Sequence, residues 1–217
     1  MQLNSDKIMS GYIEGYYGKI LNWSERRQII SKLFSHKMNT YFYAPKEDNY
    51  HRLNWKKKYS KNWLENFRRF CAFSKKRNVK VLAGIAPGLN FNFNYKTSKS
   101  NEDDFDTLRK KAISLLNLGA SNIVLLLDDI PDNFKNQNKA SEGIVHAKLA
   151  NDLSRTINKD IYFVPRIYSN EQIVEKPNYL NELAKSLKHS IKLFYCGKNI
   201  VCKTILNSDL ESISSIF

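Results

Sequence analysis

The chain has 217 residues, 42% of them hydrophobic, which suits one globular domain with a sizeable core. No apolar run approaches the ~20 residues that cross a bilayer, and the first seven residues lack the basic and apolar regions of a signal peptide. The three cysteines are odd in number and lack metal-ligand spacing. We therefore expect reduced thiols, a cytoplasmic location, no membrane partner and no metal or cofactor.

The net charge is +14, from 35 Lys and Arg against 21 Asp and Glu. A basic excess can indicate nucleic acid, but these lysines are spread along the chain among many Asn and Ile residues. The densest groups lie at 56–58 and 75–77, and no helix-turn-helix, zinc or RNP motif accompanies them. Nucleic-acid binding is therefore disfavoured.

Short segments rich in β-branched and aromatic residues alternate with segments of helical periodicity. In chain order the predicted elements are strand 12–14, helix 24–36, strand 39–43, a helix containing 64–73, strand 79–85, a helix containing 108–118, strand 123–127, helix 141–157, strand 161–164, helix 178–187, strand 191–195 and helix 208–217. Ser24 and Ser60 are the predicted N-caps of the first two helices, and Gly119 is the predicted end of the third. The apolar face predicted for the first helix comprises Ile29, Ile30, Leu33 and Phe34.

This alternation predicts an α/β fold of the (β/α)8 TIM-barrel type, with about six βα units in this chain, or else an open doubly wound sheet. No GxGxxG or GxxxxGK[ST] motif follows any strand, so the usual reason for an open nucleotide-binding sheet is missing. No repeat, low-complexity tract or flexible linker divides the sequence. Residues 1–217 are therefore predicted to form a single, partial barrel domain.

Two adjacent acids, Asp128 and Asp129, end the apolar run 123–127. In parallel α/β folds the reactive groups lie at the carboxyl ends of strands. Two neighbouring carboxylates resist simultaneous ionisation, so one is expected to carry a proton, and the pair can divide acid and base roles. The alternatives are a helix N-cap and a solvated turn.

Other polar or special residues also follow predicted strands: Gly15, Lys46 and Tyr168 come after the first, second and fifth. A barrel would bring them to the same rim as the acids. Taken alone, Lys46 would form a surface ion pair with Glu47 or Asp48. Taken alone, Tyr168 would be an amphipathic wall residue.

Four segments of the chain resemble those of family-84 glycoside hydrolases. They are GYIEGYYG (11–18), MNTYFYAPKED (38–48), APGL (86–89) and LDDI (127–130). This family contains the O-GlcNAcases and bacterial β-N-acetylglucosaminidases, some of them called hyaluronidases. The resemblance implies a (β/α)8 catalytic domain that hydrolyses terminal β-linked GlcNAc with retention of configuration. The sugar's own 2-acetamido oxygen would attack the anomeric carbon and form an oxazoline, with no metal or cofactor.

The resemblance also implies roles for the residues at the strand ends. Asp128 would hold and polarise the acetamido N–H, and Asp129 would act as general acid and then as general base. Gly15 would approach the sugar hydroxyls through its backbone. Lys46 would donate hydrogen bonds to the sugar ring, and Tyr168 would be the pocket tyrosine. The expected partner is a GlcNAc-containing glycan or glycoprotein.

The chain departs from the family at Asn90, where an Asp is usual, at Arg166-Ile167 in place of Thr-Glu, and at Tyr195-Cys-Gly197 in place of Trp-Thr-Gly. It also stops at Phe217, before the seventh strand that holds the acetamido group in the family, so a truncated form is expected. Open barrel edges would then favour self-association, low stability and weak activity. The two alternatives are a catalytically impaired GlcNAc-binding remnant and a basic protein associated with nucleic acid.

Overall fold

A computed structural model of the chain describes residues 8–97, 103–131 and 140–217. The described elements are, in chain order, β1 (Gly11–Glu14), α1 (Trp23–Ser35), β2 (Thr40–Tyr43), α2 (Lys61–Lys75), β3 (Lys80–Ile85), α3 (Asp104–Asn117), β4 (Asn122–Leu126), α4 (Glu142–Thr156), β5 (Tyr162–Val164), a 3₁₀ helix (Asn170–Glu175), α5 (Tyr179–Ser186), β6 (Lys192–Leu193) and α6 (Asn207–Ser214). Each predicted strand and helix is present, with differences at the ends. The 3₁₀ helix has no counterpart among the predicted elements.

The strands form one sheet in the order β1-β2-β3-β4-β5-β6. Parallel pairing joins β1 to β2, β2 to β3, β4 to β5 and β5 to β6. Parallel strands in sequential order are typical of a (β/α) barrel, whereas a doubly wound sheet reverses its strand order at a switch point. The open doubly wound alternative is therefore wrong.

The described residues group into two compact units. Unit 1 lies within Met1–Ile85 and Lys111–Ile123, and unit 2 within Ala86–Lys110 and Val124–Phe217. Both units take residues from more than one stretch of the chain. The prediction of a single domain over residues 1–217 stays a prediction.

Unit 1 has a core of aromatic side chains from β2 and α2. Tyr41 and Tyr43 of β2 and Phe67 and Phe70 of α2 are all buried. Trp63 stacks on Phe67 with ring centroids 4.8 Å apart. Such aromatic pairs add about 0.5–1.5 kcal/mol beyond the area they bury. This core gives the loops after β1 and β2 a rigid base.

The start of α1 differs from the prediction. Asn22, not Ser24, is the N-cap, because its side chain accepts from the backbone N–H groups of Ser24 and Glu25. Glu25 completes a capping box by accepting from Asn22 N at 2.7 Å. The predicted apolar face is also wrong in part, since Phe34 is exposed and Arg26 is buried.

Unit 2 buries the apolar run of β4 and brings α4 and α5 into close contact. Leu125 and Leu127 are fully buried. A Cβ added at Gly143 of α4 would lie 2.5 Å from Tyr179 O of α5, so glycine permits the close approach. Among the residues that the structure describes, none of the helices has the length and apolar character needed to span a membrane.

Candidate active site

The acid turn, residues 127–131, follows β4 directly. Leu127 N donates to Val164 O at 2.9 Å, which extends the pairing of β4 with β5 by one residue. Asp128 is buried, whereas Asp129 is exposed. The prediction that both acids follow a buried strand is confirmed. The helix-cap alternative is wrong, because Ile130 and Pro131, which follow the acids, are not helical and Ser141 is the N-cap of α4.

Asp129 has a backbone conformation in the left-handed region, with φ of +51°. Asp enters this region more readily than most residues, but the conformation still costs energy of order 1 kcal/mol. The next residue, Ile130, packs on Gly88, where an added Cβ would lie 2.5 Å from Ile130 Cγ2. The glycine after β3 therefore makes room for the acid turn.

Tyr168 lies beyond β5 and contacts the acid turn. Its hydroxyl donates to Asp129 Oδ1 at 3.1 Å. Burial raises the pKa of Tyr168 above its usual value, and the charges of Asp129 and Asp128 raise it further. The hydroxyl therefore keeps its proton and remains a hydrogen-bond donor at neutral pH.

One departure from the family pattern, the residue after Tyr195, supports Tyr168 through its backbone. Cys196 N donates to Tyr168 O at 2.7 Å. Burial raises the pKa of the Cys196 thiol, so the side chain is neutral at this position. The segment after β6 thus helps to hold Tyr168.

In unit 1, the loops after β1 and β2 are tied together around Tyr17. Lys46 is 8% exposed, and its Nζ lies 5.9 Å from the centroid of the Tyr17 ring. Arg52 Nη1 donates to the Tyr17 hydroxyl at 2.8 Å, and Gly18 N donates to Glu47 Oε1 at 3.1 Å. Lys46 is therefore buried, which differs from the surface position that the ion-pair alternative assumed.

Gly15 directly follows Glu14, which forms a buried ion pair with Arg26. This pair was not predicted from the sequence. Glu14 accepts two hydrogen bonds from the Arg26 guanidinium, at 2.9 and 2.8 Å, and one from the Tyr41 hydroxyl at 2.5 Å. A buried charge is tolerated when it is paired in this way, and the pairing holds the end of β1 in place. The available signal was the position of Arg26, one helical turn before the buried Ile30.

The structure therefore brings together Asp128, Asp129 and Tyr168, all in unit 2, while Gly15 and Lys46 belong to unit 1. That all five line one rim stays a prediction. Within 8–97, 103–131 and 140–217, no three His, Cys, Asp or Glu side chains are grouped so that they could hold a metal ion. The expected absence of metals and cofactors from the reaction also stays a prediction.

Residues 10–217 match the family described as NAGidase, beta-N-acetylglucosaminidase. The chain belongs to this family. It is similar to Protein O-GlcNAcase of Rattus norvegicus and of Mus musculus, each 26% identical over 218 residues. These matches cover 97% of this chain and 23% of each relative, so the chain spans about a quarter of the length of these curated relatives.

Solved structures agree with membership of the NAGidase family. The structure of CpGH84B matches with a TM-score of 0.83 and 27% identity, over 96% of this chain and 37% of that one. A mutant of the Thermobaculum terrenum O-GlcNAc hydrolase matches with a TM-score of 0.84 and 26% identity, over 95% and 45%. The resemblance to family-84 glycoside hydrolases is confirmed. So is the α/β fold of the (β/α)8 type with about six βα units.

Proposed function

We propose that this chain is a β-N-acetylglucosaminidase that hydrolyses terminal β-linked GlcNAc with retention, through an oxazoline formed by the substrate itself. The observation that carries the proposal is the acid turn, where the buried Asp128 adjoins the exposed Asp129. Ordinary retaining glycosidases place two carboxyl groups about 5–5.5 Å apart, so that one of them can act as nucleophile. Two acids adjacent in sequence suit a mechanism in which the substrate supplies the nucleophile.

The two acids would divide the work. Asp128 would accept a hydrogen bond from the acetamido N–H and so make the acetamido oxygen a better nucleophile toward the anomeric carbon. Asp129 would give its proton to the departing glycosidic oxygen, and would then take a proton from the water that opens the oxazoline. Tyr168, which keeps its own proton, would orient the Asp129 carboxyl in both steps.

The remaining residues of the proposed site would bind the sugar. Lys46 would donate hydrogen bonds to the sugar ring, and Gly15 would approach the hydroxyls through its backbone. We propose a GlcNAc-containing glycoprotein or glycan as substrate, since relatives are named Protein O-GlcNAcase and O-GlcNAc hydrolase. A cytoplasmic location belongs to the same proposal, with the free thiols of all three cysteines in its support.

The first test compares an aryl β-N-acetylglucosaminide with the matching aryl β-glucoside, using the 217-residue chain. We expect turnover of the acetamido sugar alone, because the glucoside has no group that can form an oxazoline. The rate is expected to lie below the range of about 1–10³ s⁻¹ that enzymes commonly reach. Equal rates on the two substrates would contradict the substrate-assisted mechanism.

Two variants then separate the roles of the acids. Asp129→Asn should slow substrates with poor leaving groups most, by ~10²–10⁴-fold, because these need the general acid. Asp128→Asn should slow all leaving groups alike, because an oxazoline must form in each case. Asp160→Asn is the matched control, since Asp160 is 53% exposed and accepts from Ser190. Identical profiles for the two acid variants would reject the assignment.

The second candidate is a catalytically impaired GlcNAc-binding protein. The observation that favours it is the departure at Tyr195-Cys-Gly197, next to the proposed site. It predicts saturable binding of GlcNAc in calorimetry together with no turnover of any aryl GlcNAc substrate.

A further inference from the structure

A cluster of partly buried charges lies beside the acid turn and has no role in the chemistry described so far. It comprises Glu142 in the first turn of α4, Arg166 after β5 and Lys176 after the 3₁₀ helix. We propose that Arg166 is a positioning residue, which holds the backbone of the acid turn and thereby fixes the position of the Asp129 carboxyl. The catalytic part of this inference rests on the proposed function.

The hold is a direct contact. Arg166 Nη1 donates to Pro131 O at 3.1 Å, and Pro131 lies two residues after Asp129. The same nitrogen donates to Glu142 Oε1 at 3.1 Å, while Lys176 Nζ lies 2.9 Å from Glu142 Oε2. The side chains of Arg166 and Glu142 are 10% and 8% exposed, so water competes little for their ion pair. The hydrogen bond to Pro131 O lies at the surface, and the ion pair fixes the guanidinium that donates it.

Arg166 is itself fixed at its backbone. Its N–H donates to the Tyr179 hydroxyl at 3.1 Å, and Tyr179 is 2% exposed. The Tyr179 hydroxyl also lies 2.9 Å from His146 Nδ1, inside the contact of α5 with α4. The guanidinium is therefore held from a rigid base at one end and by Glu142 at the other, as a positioning group requires.

The acid turn needs such a hold because Asp129 is strained at φ +51°. A turn with this conformation persists only when contacts with its surroundings contribute more free energy than the strain costs. Ile130 is seated against Gly88, and Pro131 is held by Arg166, so both residues after Asp129 are anchored. Removal of the second anchor lets the turn relax and moves the Asp129 carboxyl.

The segment after β5 thus acts on Asp129 twice. Tyr168 contacts the carboxyl, and Arg166, two residues earlier, fixes the backbone that carries it. A displacement near 1 Å of a catalytic group can cost ~10²-fold in rate.

The test compares Arg166→Met with Lys176→Met in the 217-residue chain. Both variants remove a cation from Glu142, but only Arg166→Met removes the donor to Pro131 O. The first measurement is hydrogen exchange at the amides of residues 128–130, which requires no activity. The second is kcat on aryl β-GlcNAc substrates with good and with poor leaving groups.

We expect Arg166→Met to speed exchange at residues 128–130 by about 10-fold or more, and Lys176→Met to leave it near the unmodified rate. We also expect Arg166→Met to slow poor leaving groups at least ~10-fold more than good ones, because it misplaces the general acid. Lys176→Met should show no such dependence. Combined with Asp129→Asn, Arg166→Met should slow the reaction no further.

Unchanged exchange in Arg166→Met would overturn the proposal, and so would a loss of kcat equal for all leaving groups. If the unmodified chain has no activity but Arg166→Met still speeds exchange, the proposed function fails while the hold on the turn stands. If Arg166→Met does not fold, the double variant Arg166→Met/Glu142→Gln removes the opposing charge as well, and the same measurements decide.

Discussion

Asp129 combines an exposed carboxylate with a left-handed backbone conformation. The positive φ turns the chain sharply as it leaves β4, so that Asp128 stays buried and Asp129 reaches out. Backbone strain of this kind collects at functional sites, where neighbouring contacts hold it. The strain is measurable, because glycine relieves it and alanine does not.

Substitutions at Asp129 test this strain. We expect Asp129→Gly to unfold with a free energy about 1 kcal/mol higher than Asp129→Ala, because a Cβ is disfavoured at this φ. Asp129→Asn should lie between them. At Asp160, which is not among the described residues with positive φ, Ala should be the more stable substitution. Urea unfolding measures the unfolding free energy of each variant. Equal values for Asp129→Ala and Asp129→Gly would contradict backbone strain at this position.

Gly88 is predicted to control the acid turn through Ile130. The added Cβ of Gly88→Ala would lie 2.5 Å from Ile130 Cγ2, so the turn must shift or the core must strain. We expect a loss of about 1–3 kcal/mol in unfolding free energy. Ile130→Ala in the same chain removes the opposing atom and should restore most of that loss. No recovery in the double variant would show that the clash lies elsewhere.

The acids and Tyr168 could be predicted from the sequence, because a strand end and a motif are both local features. The ion-pair partners of Arg26 and Arg166 could not, since each pair joins an arginine to a carboxylate distant in the sequence. Arg26 pairs with Glu14, 12 residues away, and Arg166 with Glu142, 24 residues away. A search for apolar periodicity alone assigns such residues to the surface.

Among the elements, the residues at which helices end are set by local sequence, whereas the residues at which strands end depend on the strands they pair with. Ser60 caps α2 by accepting from Trp63 N, and Gly119 ends α3 at φ +107°, both as predicted. β6 is shorter than its predicted five residues, at both ends; at its carboxyl end its partner β5 stops before Pro165, which has no N–H to donate.

The contact of α4 with α5 is predicted to make unit 2 sensitive to acid. His146 is fully buried with Nδ1 at 2.9 Å from the Tyr179 hydroxyl. Burial, and then the charges of Arg166 and Lys176, lower the pKa of His146 from 6.5 to about 3. Glu142 Oε1 lies 3.9 Å from His146 Nε2. The folded state therefore takes up the proton less readily than the unfolded state.

The sign follows from this difference in pKa. Stability from His146 is complete above pH 6.5 and is lost as the pH falls from 6.5 toward 3. We expect a loss of roughly 2 kcal/mol between pH 7 and pH 5 by this linkage. In urea unfolding at the two pH values, His146→Gln should lose less than the unmodified chain. His36→Gln, at the exposed C-cap of α1, should lose as much as the unmodified chain does. Equal losses in both variants would contradict the assignment.

For the molecule as a whole, alternation of strands and helices left a barrel and an open sheet as alternatives, and the parallel sequential order decided between them. Alternation does not encode strand order, because local patterns are silent on which strands pair. The division of contacts into two units was equally absent from the sequence, since each unit joins distant stretches of the chain.

Self-association through the outer strands stays a prediction. β1 lies at one end of the described sheet, and its Ile13 is 50% exposed. We expect the 217-residue chain to associate in sedimentation velocity, and more so at high salt, which screens the net charge of +14. Ile13→Lys should reduce association, whereas Ile144→Lys, at a comparably exposed site on α4, should not. Equal effects of the two variants would contradict association through β1.

The most direct measurement for the account is the rate on aryl β-GlcNAc substrates whose N-acetyl group carries no fluorine, one fluorine or three. Fluorine weakens the acetamido oxygen as a nucleophile and leaves the glycosidic bond in place. If the substrate forms the oxazoline over Asp128 and Asp129, kcat/KM must fall steeply with each added fluorine, and the fall must persist in Asp129→Asn with a good leaving group. Rates that do not respond to fluorine would contradict the central claim that this acid turn serves substrate-assisted catalysis.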